Sequence, residues 1–242
     1  YSTYLRIPEG ELRDMLELLT HEIISALPKD ALYHKISPED YHISVVPIQD
    51  LPFDKLENKL TEDEKRQVRD KIEDIAASEK MFKLRFAGLR LGLDGALIAV
   101  FEDRTNIVGS LRSRVIDECN MVCDGKVSQA RKKPLVHVTL LRMFSNLEDK
   151  ILDSLKQTAL LTKDLSLLDF TLQLDSLWFG HEVRWMHANL DYEKEYPFGK
   201  NFRNETKIDI TGIDQIADGI EQASIILKGP DVDTGGEAFI IN

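Results

Sequence analysis

Two short segments of the sequence place a histidine inside an apolar stretch with a hydroxyl residue two positions later. Residues 41–45 read YHISV, and residues 136–140 read VHVTL. In a β-strand, residues i and i+2 point to the same face. We therefore predict that His42 shares a face with Ser44, that His137 shares a face with Thr139, and that the four side chains converge on one cleft.

Two imidazoles and two hydroxyl groups in one cleft suit in-line chemistry at phosphorus. One neutral imidazole takes a proton from the attacking oxygen, while the other, as imidazolium, gives a proton to the leaving oxygen. Both states are accessible because the unperturbed pKa of histidine lies near neutrality. Ser44 and Thr139 would donate hydrogen bonds to the non-bridging oxygens. A single such motif is usually structural. The occurrence of two copies favours catalysis, and the direction of attack decides which histidine is the base.

Hydrophobic periodicity predicts the elements that carry these motifs. The order strand-helix-strand-helix-strand occurs twice. In the first half we predict strands at 4–7, 41–46 and 82–86 and helices at 12–23 and 60–76. In the second half we predict strands at 97–101, 135–140 and 170–178 and helices at 107–119 and 147–160. The two histidines are 137 − 42 = 95 residues apart, which indicates an internal duplication.

The predicted fold is α+β and bilobal, with two pseudo-symmetric halves whose antiparallel sheets face a central cleft. Residues 1–190 form the bilobal domain, with lobes of roughly 1–94 and 95–190, and strand exchange between the lobes is left open. Residues 183–190 read as a hairpin partner that follows the second copy. Residues 191–242 are polar and irregular, and we interpret them as a C-terminal extension with one helix near 213–226.

At the two histidine motifs the sequence resembles the 2H phosphoesterase superfamily, which includes RNA 2′,3′-cyclic phosphodiesterases and 2′-5′ RNA ligase-like proteins. The resemblance covers roughly residues 1–190 and includes the run HVTLLR at 137–142. It implies metal-independent chemistry without a cofactor, with His42 and His137 as the catalytic pair and Ser44 and Thr139 as phosphate ligands.

The implied reaction is hydrolysis of a 2′,3′-cyclic phosphate or a 2′-5′ phosphodiester in a nucleotide or at an RNA end. Two alternatives stay open. One is a non-catalytic module that binds nucleotides or RNA ends. The other is a similar enzyme that acts on a cyclic phosphoester outside RNA.

Five further residues are candidates for substrate contact. Arg131, Lys133 and Arg142 flank the second motif and are candidates for binding a substrate phosphate. The alternatives are a solvated loop for the first two and an ion pair at the strand end for Arg142. Trp178 and Phe179 are candidates for stacking on a nucleobase. Core packing is the alternative for both, because aromatic residues in strands are mostly buried.

Composition limits the partners. The chain has 31 basic and 42 acidic side chains, a net charge of −11, which disfavours long nucleic acid and favours one small nucleotide or RNA end. No apolar run approaches the roughly 18 residues of a membrane span. The two cysteines are too few for a disulfide framework or a structural zinc site, so we predict no metal and a reducing compartment, the cytoplasm. Because the sequence begins with Tyr1 and not with methionine, we expect a trimmed or excised chain.

Overall fold

A computed structural model describes residues 1–49, 59–92, 95–127, 135–144, 155, 170–184 and 189–199. Apart from Leu155, the predicted helix at 147–160 lies outside the described residues. The predicted helix at 213–226 also lies outside them, and so does the rest of the extension from residue 200 onwards. The described elements all belong to one compact unit, Tyr1–Lys200.

The described α-helices occur where the periodicity predicts them, and a short 3-10 helix, Pro38–Asp40, lies in the segment before His42. The bounds of the α-helices are α1 Glu11–Ser25, α2 Glu62–Ser78 and α3 Ile107–Asn120. A capping box begins α2, because the Thr61 hydroxyl accepts the backbone N–H of Glu64 and the Glu64 carboxylate accepts that of Thr61. At the start of α3 the Asp103 carboxylate accepts the first two backbone N–H groups, at 2.9 and 2.8 Å. Both helices therefore begin at side chains that satisfy their first N–H groups.

The described strands form one antiparallel sheet. In chain order they are β1 Ser2–Arg6, β2 Tyr33–Lys35, β3 His42–Pro47, β4 Phe82–Leu91, β5 Ala96–Glu102, β6 His137–Met143, β7 Thr171–Leu174, β8 Ser176–Arg184 and β9 Asn189–Pro197. Their spatial order is β7-β4-β5-β6-β3-β1-β8-β9, and β2 also pairs with β6. The sheet is curled. Its combination with the helices confirms the predicted α+β fold. The contact between β3 and β6 divides the sheet into two halves, one of β7, β4, β5 and β6 and one of β3, β1, β8 and β9. β4, which comes from the first half of the sequence, lies in the half that contains β6.

The segment predicted as one strand, 170–178, is two strands, so that prediction is wrong in its length. Asp175 separates β7, which pairs with β4, from β8, which pairs with β1 and β9. The carbonyl of Asp175 instead accepts the backbone N–H of Phe198 at 2.7 Å. The predicted hairpin arm is also displaced, because β9 begins at Asn189 and extends to Pro197, beyond residue 190. Two polar residues, Asp175 and Ser176, lie at the break, and apolar residues resume at Leu177, so the interruption is too short for periodicity to register the change of pairing partner.

The helices contact the sheet through α1 with β6, α2 with β8 and β9, and α3 with β3. On β3 and β6, fully buried residues such as Ile43 and Val138 alternate with half-exposed ones. We call the side of the sheet with the buried set the covered face. The side that carries His42 and His137 is the open face. Among the described helices, none has both the length and the apolar character needed to cross a membrane.

Candidate functional site

The two histidine motifs lie on neighbouring strands. Ile43 of β3 pairs with Val138 of β6 in antiparallel register. Paired residues point to one face and their sequence neighbours to the other, so both histidines lie on the open face with their hydroxyl residues, Ser44 and Thr139. Diagonal positions in a regular antiparallel pair are about 7–8 Å apart. That separation leaves room for a phosphoryl group between the two imidazoles.

A backbone carbonyl determines the protonation pattern of His42. The Nδ1 atom of His42 lies 2.7 Å from the carbonyl oxygen of Asp40. A carbonyl oxygen only accepts hydrogen bonds, so Nδ1 carries a proton and donates it. In the neutral ring Nε2 then has the lone pair. His42 can therefore accept a proton at Nε2 and release it again without losing its contact to Asp40.

A partly buried polar cluster supports His42 from β1 and β9. The Tyr4 ring meets the His42 ring edge-on, with centroids 5.4 Å apart. The Tyr4 hydroxyl donates to the carboxylate of Glu193, which also pairs with Arg6 at 2.7 Å. Burial, and then the hydrogen bond to Glu193, raise the pKa of Tyr4 far above its ordinary value, so the phenol remains a neutral donor. This cluster has no local signal in the sequence, because Glu193 lies 189 residues from Tyr4 along the chain.

Arg112 of α3 bonds β3 and the segment that leads into β6 from the covered face. Its Nη2 atom donates to the carbonyls of Ser44, at 2.8 Å, and Leu135, at 3.2 Å. The side chain is fully buried, and burial lowers the pKa of Arg112 from its ordinary value while the charge of Asp103 opposes that shift. One guanidinium therefore contacts the backbone of the first motif at Ser44 and the residue directly before the second motif, Leu135. The signal available in the sequence was an arginine beside Leu111 on the apolar stripe of a predicted helix.

The structure places three of the other five predicted contact residues. Arg142 lies at an open-face position of β6, where it is half-exposed. Trp178 pairs with Tyr4 and is also half-exposed on the open face, with the Arg6 guanidinium 4.8 Å from its ring centroid. Phe179 is fully buried and stacks on Tyr1 with centroids 5.6 Å apart, so core packing applies to it and base stacking does not. Arg131 and Lys133 lie outside the described residues.

In the described ranges the thiols are buried and no metal-binding cluster occurs. These ranges contain no group of three or more His, Cys, Asp or Glu side chains arranged to hold a metal ion. Cys119 and Cys123 are both free and buried. Burial raises the pKa of Cys119 to about 12, which keeps it a thiol. The open face carries the imidazoles of His42 and His137 and the hydroxyls of Ser44 and Thr139.

Comparison with known proteins identifies the fold. The chain is similar to TT0787 of Thermus thermophilus, with a TM-score of 0.51 and 10% identity over 81% of this chain and 97% of that one. It is also similar to ATU0111 from Agrobacterium tumefaciens, a conserved protein of unknown function, with a TM-score of 0.57 and 14% identity over 82% and 84%. E. coli LigT complexed with 3′-AMP has a TM-score of 0.47 and 10% identity over 81% and 93%. No family model and no curated protein sequence matches the chain. The fold that the resemblance of the two motifs implied is therefore confirmed.

Proposed function

We propose that this chain is a 2H-type phosphoesterase that opens 2′,3′-cyclic phosphates or cleaves 2′-5′ phosphodiesters of small nucleotides or RNA ends. The observation that carries the proposal is the register of β3 against β6, with Ile43 opposite Val138. Because of this register, His42 and His137 lie on the same open face, each with a hydroxyl residue beside it. The fold shared with a 2H phosphoesterase, TT0787, supports the same reaction class.

The proposed reaction is an in-line displacement at phosphorus. A water molecule attacks the phosphorus on one side while one imidazole takes a proton from it. The bond from phosphorus to the ribose oxygen on the opposite side breaks, and the second imidazolium protonates that oxygen. The two imidazoles supply both proton transfers, so the proposed step involves no metal ion. The two histidines exchange roles when the direction of attack is reversed.

The surroundings of the imidazoles fit these roles. The hydrogen bond from Nδ1 of His42 to Asp40 leaves Nε2 for the proton transfer. The hydroxyls of Ser44 and Thr139 would donate to the non-bridging oxygens, where negative charge lies during the transfer. Each of these side chains is half-exposed, so a substrate reaches it from the open face.

Turnover in EDTA tests the proposal. The substrates are 2′,3′-cyclic nucleotides and 2′-5′-linked oligonucleotides, assayed with the native chain and with the single variants His42→Ala and His137→Ala. We expect each variant to lose about 10²-fold or more in turnover, as is typical when a general acid or base is removed. Ser44→Ala and Thr139→Ala should lose less, because each removes one hydrogen bond.

His21→Ala is the matched control, because His21 is an exposed histidine on α1. It should keep native turnover, and thermal melting should show that all variants are folded. Full activity in either His42→Ala or His137→Ala would refute the paired acid-base mechanism. Nucleotide binding without any turnover by the native chain would instead favour the non-catalytic binding module.

A further inference from the structure

We propose that the open face carries a second anion subsite, formed by His34, Arg90 and Arg142, that binds a further phosphate of the substrate. The inference rests on the proposed phosphoesterase function and narrows its substrate class. The substrate would be a nucleotide or RNA end that carries a second phosphate in addition to the reacting one. That group is either a 5′-phosphate of the same nucleotide or the next linkage of an oligonucleotide.

Strand register places Arg142 and His34 side by side. Arg142 of β6 pairs with His34 of β2 on one side and with Ala96 of β5 on the other. Paired residues leave the sheet on the same side, and Ala96 shares that side with Ile98, the partner of Thr139. Both Arg142 and His34 are half-exposed. They therefore present N–H donors on the open face, in the row of residues next to Thr139.

Arg90 completes the subsite from β4. It is half-exposed, and its partner on β5 is Ile98, which in turn pairs with Thr139. Neighbouring strands are about 4.8 Å apart, and two residues along a strand span about 7 Å. The side chains of Arg90 and Arg142 can therefore meet above the small side chain of Ala96. An anion there lies about one row beyond the hydroxyl proposed to hold the reacting phosphate, so it belongs to a different group.

The charges around this point favour an anion. Among the described open-face positions of β4, β5, β6 and β7, the acidic residue is Glu102. Glu102 lies at the far end of β5, three rows from Ala96, and pairs with Arg104 at 3.0 Å. The protein as a whole has a net charge of −11. A local group of two arginines and a histidine on such a chain concentrates the positive potential at one place.

The opposite half of the open face is less suited to a second phosphate. Its arginine, Arg6, already pairs with Glu193 at 2.7 Å and lies 3.9 Å from Asp40. The guanidinium also covers the ring of Trp178. A phosphate on this side would meet the carboxylate of Glu193. The second phosphate is therefore expected on the side of Arg90 and Arg142.

Calorimetric binding tests the subsite without requiring turnover. The probes are adenosine 3′-monophosphate, adenosine 3′,5′-bisphosphate and the dinucleotide ApAp, titrated into the native chain, Arg90→Gln and His34→Gln. We expect the native chain to bind a probe with two phosphates about tenfold more tightly than the monophosphate, since charged hydrogen bonds are the stronger ones. Each variant should lose most of that gain while its affinity for the monophosphate changes less than twofold. The probe that shows the gain identifies the source of the second phosphate.

Lys83→Gln is the control, because Lys83 is an exposed cation on the same face of β4, 90 − 83 = 7 residues from Arg90. That spacing corresponds to roughly 20 Å, so this variant should keep the full gain. Equal affinity of the native chain for all three probes, or binding of none, would overturn the subsite. A gain that survives in both Arg90→Gln and His34→Gln would also overturn it. The turnover assay of the His42 and His137 variants is independent, so failure of the subsite is distinguishable from failure of the proposed function.

Discussion

Replacing Arg112 with methionine tests whether one buried guanidinium holds the two histidine strands in place. Arg112→Met keeps an unbranched side chain, shorter by the guanidinium, on the apolar stripe of α3. It removes the N–H donors that contact the carbonyls of Ser44 and Leu135 at 2.8 and 3.2 Å. The register pair between β3 and β6 is Ile43 with Val138, and the two hydrogen bonds of Arg112 lie beside this short junction.

The structure sets the size of the expected loss. Leaving a buried acceptor without its donor costs about 1–3 kcal/mol, and Arg112→Met removes the donor from two partly buried carbonyls. Part of this cost is offset, because the variant no longer buries a charge, the effect that lowers the pKa of Arg112. We expect a net loss of about 2–4 kcal/mol in the free energy of unfolding. A displacement of about 1 Å between catalytic groups costs on the order of 10² in rate, so turnover should fall roughly 10- to 100-fold.

The assay combines urea unfolding, followed by tryptophan fluorescence, with turnover measured well below the unfolding transition. Arg114→Met is the control, because Arg114 lies two residues further along α3 and pairs with Glu79 and Glu118 at its surface. Such partly exposed pairs are worth about 1 kcal/mol or less, and turnover should stay native. Arg112→Lys should recover part of the rate, since it keeps a buried donor. Native stability and native turnover in Arg112→Met would refute the reasoning. A loss of stability with native turnover would leave Arg112 a structural role only.

Two further predictions concern the scaffold. Gly95→Ala should destabilise the protein more than Gly125→Ala in urea unfolding. Both glycines have φ of +75°, which costs an alanine about 1–2 kcal/mol, but a Cβ at Gly95 would lie 2.6 Å from the Met143 carbonyl oxygen while one at Gly125 meets nothing within 4 Å. Equal losses would show that the clash at Met143 is relieved without cost. Cys119 and Cys123 should resist iodoacetamide at pH 8 in the folded protein, because burial raises the pKa of both thiols and the thiolate is the reacting form. Mass spectrometry should find alkylation only in denaturant, and labelling of the folded chain would contradict the burial.

The sequence by itself determined the elements and the faces on which the motif residues lie. Alternation with a period of two put His42 with Ser44 and His137 with Thr139, and the observed burial along β3 and β6 follows the same alternation. The three described α-helices occur at their predicted positions. Periodicity is a local property, so it can be detected within a single strand or helix. For the same reason it missed β2, whose three residues, Tyr33–Lys35, are too few to show a period.

Only the tertiary structure decided which elements meet. The pairing of Ile43 with Val138 joins residues 138 − 43 = 95 apart, and the division at Asp175 reflects two different partners for β7 and β8. The contact between Tyr4 and Glu193 joins residues still further apart. Such pairings depend on the packing of distant surfaces against one another, and the residues on either side of each position do not encode it. A sequence pattern therefore indicated the reacting groups of this protein, while the folded chain determined the Arg112, Tyr4 and His34 contacts around them.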